Sequence, residues 1–182
     1  MTNLFRLIGV VILLFSAASH AVQQGDSAIH AFGTDMDGNP VLPESLRGQV
    51  VVTLYWASWC GYCRMAMPDF TAFQKVAKDR GLQVVFINAK ENRGVFREAA
   101  RWAKSSTVIM AHDRKGKAME QYGVESYPHI MLIDRQGVIR RVSTGYGEQS
   151  REFYATRLAE LLDEKPANSE QEQAATPIAT ES

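Results

Sequence analysis

Cysteine is scarce in this chain of 182 residues: Cys60 and Cys63 are the whole supply. That excludes a framework of disulfides stapling distant parts of a fold. A bridge between these two closes a very short loop, and the chain-entropy gain of a cross-link grows with the loop it closes. A four-ligand structural zinc site finds no second CxxC to complete it, and the histidines, His20, His30, His112 and His129, are scattered. Excess charge of either sign is also lacking. The 20 Lys and Arg equal the 20 Asp and Glu, so no basic field invites nucleic acid or an anionic membrane surface. After the first residues, no apolar run approaches the roughly twenty residues that a membrane span takes.

What remains is the composition of a globular domain, 46% hydrophobic and 22% charged, with length enough for one domain and a substantial core. The N-terminus stands apart. Arg6 precedes the apolar run Leu7 to Phe15, and Ser16 to Ala21 turn small and polar. Ser19 and Ala21 occupy the small-residue positions of a cleavage site. Residues 1–21 are therefore expected to be a secretory signal peptide, with Val22 starting a soluble, periplasmic mature protein. An uncleaved N-terminus serving as a membrane anchor is the alternative. Export matters to the chemistry, because thiols outside the cytoplasm meet an oxidising environment.

Within the mature chain, Asp35 to Pro40 is dense in turn residues and predicts a short β-hairpin and loop over residues 22–49. Val50 to Trp56 is a β-rich apolar run, the pattern of a strand buried on both faces. A helix is predicted from the cysteines to about Lys78, with Ala66, Phe70, Phe73 and Ala77 on one face and Pro68 inside it. Leu82–Asn88 predicts a strand, Asn92–Lys104 a helix, Thr107–Met110 a short strand, and Lys117–Tyr122 a helical turn or two. His129–Asp134 and Val138–Val142 read as a hairpin, and Gln149–Glu164 as a final helix stopped by Pro166. Residues 22–165 thus form one domain, and residues 166–182 are expected to be a disordered polar tail. This order predicts an α/β fold, a three-layer sandwich with a mixed central sheet and an N-terminal β-hairpin extension.

The chemistry concentrates in Trp59-Cys60-Gly61-Tyr62-Cys63. The motif follows a buried strand and opens a helix, where free N–H groups and partial positive charge stabilise a thiolate. Cys60, nearest the helix start, is the expected nucleophile. Cys63, one turn on, is placed to resolve the mixed disulfide that results. Trp59 and Tyr62 beside the sulfurs, and Tyr127-Pro128 before the strand at His129, are candidate substrate-binding residues.

These pieces together resemble the thioredoxin superfamily, and within it the exported TlpA-like thiol–disulfide oxidoreductases. The resemblance rests on the Trp59–Cys63 motif after an apolar strand, Pro68 five residues beyond Cys63, and Tyr122-Gly123-Val124 before Pro128. Leu132-Ile133-Asp134 with Gly137, the Asp35–Gly38 lead-in and the extra strand and helix near residues 82–104 extend it over roughly residues 28–163. It implies a thioredoxin-like fold, a cis Pro128 beside Cys60, and a Tyr127 backbone that pairs with an extended substrate segment. It also implies substrate proteins with thiols or disulfides, a membrane electron donor or acceptor, no organic cofactor, and action as a monomer. The direction of electron flow stays open: reductase, isomerase or oxidase.

Two departures from the family stand out. The buried acid that thioredoxins often carry six residues before the first cysteine is Leu54 here, and the Glu that some TlpA-like reductases carry three residues after the second cysteine is Ala66. Such a carboxylate would shuttle the proton of the resolving thiol. Without it the proton passes to water, to the substrate or to another group, with Lys90 and Glu91 as candidates set against a reading as solvated loop charges. His129, if protonated, would favour a thiolate electrostatically. The rival function is soft-metal binding, with Met65, Met67 and His129 joining the cysteines around Cu(I); no metal site is assigned on that basis.

Overall fold

The computed structural model describes residues 22–164. The expected signal peptide, residues 1–21, and the expected tail, residues 166–182 with Pro166, lie outside the described residues. Five strands form one sheet: β1 (Val50–Trp56), β2 (Leu82–Ala89), β3 (Ile109–Asp113), β4 (His129–Ile133) and β5 (Ile139–Thr144), in the order β3-β2-β1-β4-β5. β1 runs parallel to β2 and antiparallel to β4, and β2 runs parallel to β3. The sheet is therefore mixed, as the element order predicts. Among the described residues, four α-helices accompany it: α1 (Gly61–Ala77), α2 (Arg93–Ala103), α3 (Lys117–Gln121) and α4 (Ser150–Asp163).

β1 is central, and all seven of its residues are buried. Alternation along the strand divides them between two hydrophobic layers. Val50, Val52, Leu54 and Trp56 join Phe70 of α1, Phe96 of α2 and Leu158 of α4. Val51 and Tyr55 join Phe32 and Leu46 of the lead-in and Tyr122 after α3. Each large side chain buried this way contributes about 1.5–3 kcal/mol. The cysteines belong to the first layer, with α1.

The turn from α1 into β2 shows why its glycine is there. Gly81 has φ 86°, in the left-handed region. A Cβ at Gly81 would lie 2.8 Å from Nη1 of Arg135. That guanidinium donates to the carbonyls of Gly48 (2.9 Å), Arg80 (3.0 Å) and Leu162 (3.2 Å), tying the turn before β1, the turn before β2 and the end of α4 together.

Two expectations change in detail. The N-terminal hairpin is reduced to a single bridge between Thr34 and Pro40, followed by a 3-10 turn over Pro43–Leu46. Pro40 has no N–H to extend a ladder. The Asp35 carboxylate takes the N–H groups of Asp37 and Asn39 (both 2.9 Å), which closes the turn tightly. β3 begins and ends later than predicted, because His112 and Asp113 continue the pairing opposite Asn88 and Ala89. These polar residues are buried but satisfied. His112 stacks on Phe96 and Asp113 accepts from the Met119 N–H at 2.8 Å.

Candidate active site

β1 ends at Trp56, and the turn Ala57-Ser58-Trp59 carries the chain to Cys60. The Cys60 N–H donates to the Ala57 carbonyl at 3.0 Å. Cys60 is the N-cap of α1, with its Sγ accepting from the Cys63 N–H at 3.1 Å. The two cysteines are joined as a disulfide, with Cα atoms 5.3 Å apart. Exposure separates them: Cys60 is 4% exposed and Cys63 is 0% exposed. A reagent arriving from solvent therefore meets the Cys60 side of the pair first.

Around this small opening lie exposed apolar groups. Trp59 is 71% exposed, Tyr62 61% and Met65 51%. Trp59 packs against Tyr127, ring centroids 5.7 Å apart at 57°. The Tyr127–Pro128 peptide bond is cis. The Tyr127 hydroxyl donates to the Met119 sulfur at 3.2 Å. Burial, with the nearby Asp113 and Glu91 carboxylates, raises its pKa. Thus Trp59, Cys60, Tyr62 and Tyr127 come together at one end of the sheet, with Pro128 next in the chain.

Beside Cys63, between α1 and α2, an open cleft of about 420 Å³ is lined by Trp56, Met67, Ala99 and Trp102, with Arg64 and Glu98 also on its walls. A larger cleft of about 790 Å³ lies between the lead-in and the α2–β3 segment and holds none of these residues.

The candidates for proton and metal chemistry sort differently from the sequence reading. Leu54 and Ala66 are fully buried in the cysteine layer, so both positions of the family acid are apolar in fact as well as in sequence. His129 cannot serve as a cation beside a thiolate. It is buried with neither ring nitrogen hydrogen-bonded, and burial lowers its pKa to about 4, so the imidazole is neutral at neutral pH. It packs edge-on against Tyr55, in the layer opposite the cysteines. Met67 is buried with the cysteines, while Met65 points to solvent. The soft-metal set of Met65, Met67 and His129 is therefore not assembled.

Lys90 and Glu91 part ways: Lys90 is exposed, as a solvated loop charge is, whereas Glu91 is half-buried and engaged. Lys90 adopts φ 55°, and its side chain lies where a Cβ on Gly116 would be. The Glu91 carboxylate accepts from the Ser58 N–H (2.8 Å), the Ser58 hydroxyl (2.6 Å) and the Asn88 side-chain amide (2.7 Å). This engagement with the turn before Cys60 is the feature the sequence hid. Its partners sit 33 and 3 positions away with no periodic signal to join them.

Known proteins give a consistent comparison. The family model described as Redoxin matches residues 23–158. Thiol-disulfide oxidoreductase ResA of Bacillus anthracis is 27% identical over 159 residues, covering 82% of this chain and 90% of that protein. ResA of Geobacillus kaustophilus is 27% identical over 132 residues, covering 72% and 75%. Among solved structures, a candidate thiol:disulfide interchange protein DsbE from Chlorobium tepidum superposes with a TM-score of 0.68 and 29% identity, covering 78% of this chain and 99% of that one. The exposed lipoprotein thioredoxin Etrx1 of Streptococcus pneumoniae gives 0.57 and 28%, covering 70% and 96%.

Proposed function

The chain belongs to the Redoxin family, and from that premise we propose that it is an exported oxidoreductase of protein thiols and disulfides, with Cys60 as nucleophile and Cys63 as resolving thiol. The oxidoreductase activity itself is the one carried by its relatives' names. The observation that carries the assignment of roles is the asymmetric burial of a disulfide set at the N-terminus of a 17-residue helix.

In the reduced protein, the Cys60 thiolate attacks a substrate disulfide. A Cys60–substrate disulfide forms and one substrate thiolate leaves, taking a proton from water. Cys63, deprotonated, then attacks Cys60 Sγ. The intramolecular disulfide forms, and the second substrate thiolate leaves. Two electrons have passed from protein to substrate, and the reverse sequence oxidises a substrate dithiol. Helix N–H groups and the helix dipole favour the thiolate at Cys60. The apolar setting of Cys63 opposes its ionisation, and with Leu54 and Ala66 at the family's acid positions its proton passes to water, to the substrate or to another group. Trp59, Tyr62, Tyr127 and Pro128 form the substrate surface, and the backbone at Tyr127 adds a substrate strand.

Export rests on the composition of residues 1–21, and a similar solved protein is itself named an exposed lipoprotein. Among the described residues, no helix is long and apolar enough to cross a membrane. On this reading the working unit is a monomer, and a membrane redox partner sets the oxidation state of the pair. Turnover of a disulfide-bonded peptide by the wild-type protein with a thiol reductant tests the activity, and its absence would refute it. The intact mass of protein recovered from a bacterial periplasm tests the export: a chain beginning at Val22 is expected, and retention of residues 1–21 contradicts cleavage.

A further inference from the structure

Ser58, two residues before Cys60, has every polar group engaged. Its N–H and hydroxyl donate to the two oxygens of Glu91, at 2.8 and 2.6 Å, and its carbonyl accepts from Arg64 Nη1 at 3.0 Å. The same Glu91 carboxylate takes the Nδ2–H of Asn88 at 2.7 Å. Asn88 is fully buried on β2, opposite Trp56 of β1. One carboxylate thus ties together the end of β1, the end of β2 and, through Ser58 and Arg64, the first turn of α1.

Glu91 is itself held in place. Its carbonyl oxygen lies 3.0 Å from His112 Nε2, and His112 is stacked on Phe96 at 4.7 Å. The Lys90 N–H donates to the Asp113 carbonyl at 3.0 Å. In the turn it grips, Ser58 and Trp59 are exposed, and Glu91 is, among the described residues, the one side chain that bonds both the N–H and the hydroxyl of Ser58. Hydrogen bonds to an ionised acceptor are roughly twice as strong as neutral ones.

We propose that Glu91 is a positioning residue for the redox pair: by clamping Ser58 to Asn88 it fixes the turn that presents Trp59 and Cys60 to substrate. This deepens the oxidoreductase reading and rests on it. Glu91 makes no hydrogen bond to either sulfur among the described residues, so it acts through the turn and not as a proton shuttle. No covalent step involves it.

The test compares Glu91→Asp, Glu91→Gln and Glu91→Ala in the full mature protein. Asp keeps the charge but falls one methylene short of Ser58. Gln keeps the reach and one acceptor oxygen, but its NH2 faces a donor. The readouts are kcat/KM for a disulfide-bonded peptide and the equilibrium constant of the Cys60–Cys63 pair with glutathione. The clamp predicts that Asp and Ala both lose about tenfold in kcat/KM, less than the roughly hundredfold that a misplacement of about 1 Å can cost. It also predicts a shifted glutathione equilibrium in both, with Gln in between. Wild-type values in Asp and Ala, or a loss in Gln that Asp does not share, overturn the proposal. Should Ala fail to fold, Asp and the surface variant Ser58→Ala decide it. Wild-type protein in the same assay keeps the two readings apart: no exchange there refutes the oxidoreductase, whereas normal exchange with indifferent variants refutes the clamp alone.

Discussion

The indole of Trp59 rests against the phenol of Tyr127, with ring centroids 5.7 Å apart. The residue before the first cysteine and the residue before Pro128 come from loops 68 positions apart, and this contact makes them one surface. The surface stays largely open on the Trp59 side, so it can be covered by a substrate as well as by its neighbour.

Trp59→Ala is expected to raise KM more than it lowers kcat. An aromatic contact of this kind contributes about 1 kcal/mol beyond area burial, equivalent to roughly fivefold in affinity. Tyr127→Phe keeps the ring and loses only the bond to the Met119 sulfur, so it should behave nearly as wild type. Steady-state kinetics on one disulfide-bonded peptide separates them. Equal KM values in wild type and Trp59→Ala would remove the indole from the substrate surface.

Gln74 is a buried polar residue in α1 whose amide bridges to β2. It donates to the Leu82 carbonyl at 3.1 Å and accepts from the Val84 N–H at 2.6 Å. Gln74→Leu leaves both backbone groups buried without partners, and each such group costs about 1–3 kcal/mol. Urea denaturation should show a loss of about 2–4 kcal/mol with exchange activity per folded molecule unchanged. A loss below about 0.5 kcal/mol, the ordinary scale of surface substitutions, would contradict this role.

His129 gives the fold a pH dependence. Burial holds its native pKa near 4, against 6.5 for the free side chain. Between these values the unfolded chain binds the proton more readily than the native one. Its contribution to stability is therefore full above pH 6.5 and falls as pH drops toward 4, by up to about 3 kcal/mol. His129→Leu, with no proton to bind, should flatten the stability profile in that window. A variant that keeps the wild-type slope between pH 6.5 and 4 would assign the effect elsewhere.

The parts of this molecule that were legible in the sequence are those written in short-range pattern. The run Val50 to Trp56 announces a doubly buried strand because both of its faces need apolar residues. The cysteine motif announces a helix start because of what precedes and follows it. The sequence predicts too early an end for β3 because His112 and Asp113 look like the end of a strand, and the contact of His112 with the Glu91 carbonyl, its stacking on Phe96 and the bond from Met119 to Asp113 make their burial tolerable. The neutral state of His129 depends on its burial, beside Tyr55, its register partner on the neighbouring strand. The role of Glu91 depends on Ser58, 33 residues earlier, arriving at the same sheet end. Long-range pairings such as these set the chemistry of the site, and single-sequence pattern does not encode them.

The division of labour between the cysteines is most directly tested by trapping. Cys63→Ala, reduced and mixed with a disulfide-bonded peptide, should accumulate a mixed disulfide, with peptide mapping by mass spectrometry placing the substrate half on Cys60. Cys60→Ala should form no such adduct at a comparable rate, because Cys63 is fully buried. Rapid adduct formation on Cys63 in the Cys60→Ala protein, or free turnover by either variant, would contradict the assignment of attack to Cys60 and resolution to Cys63.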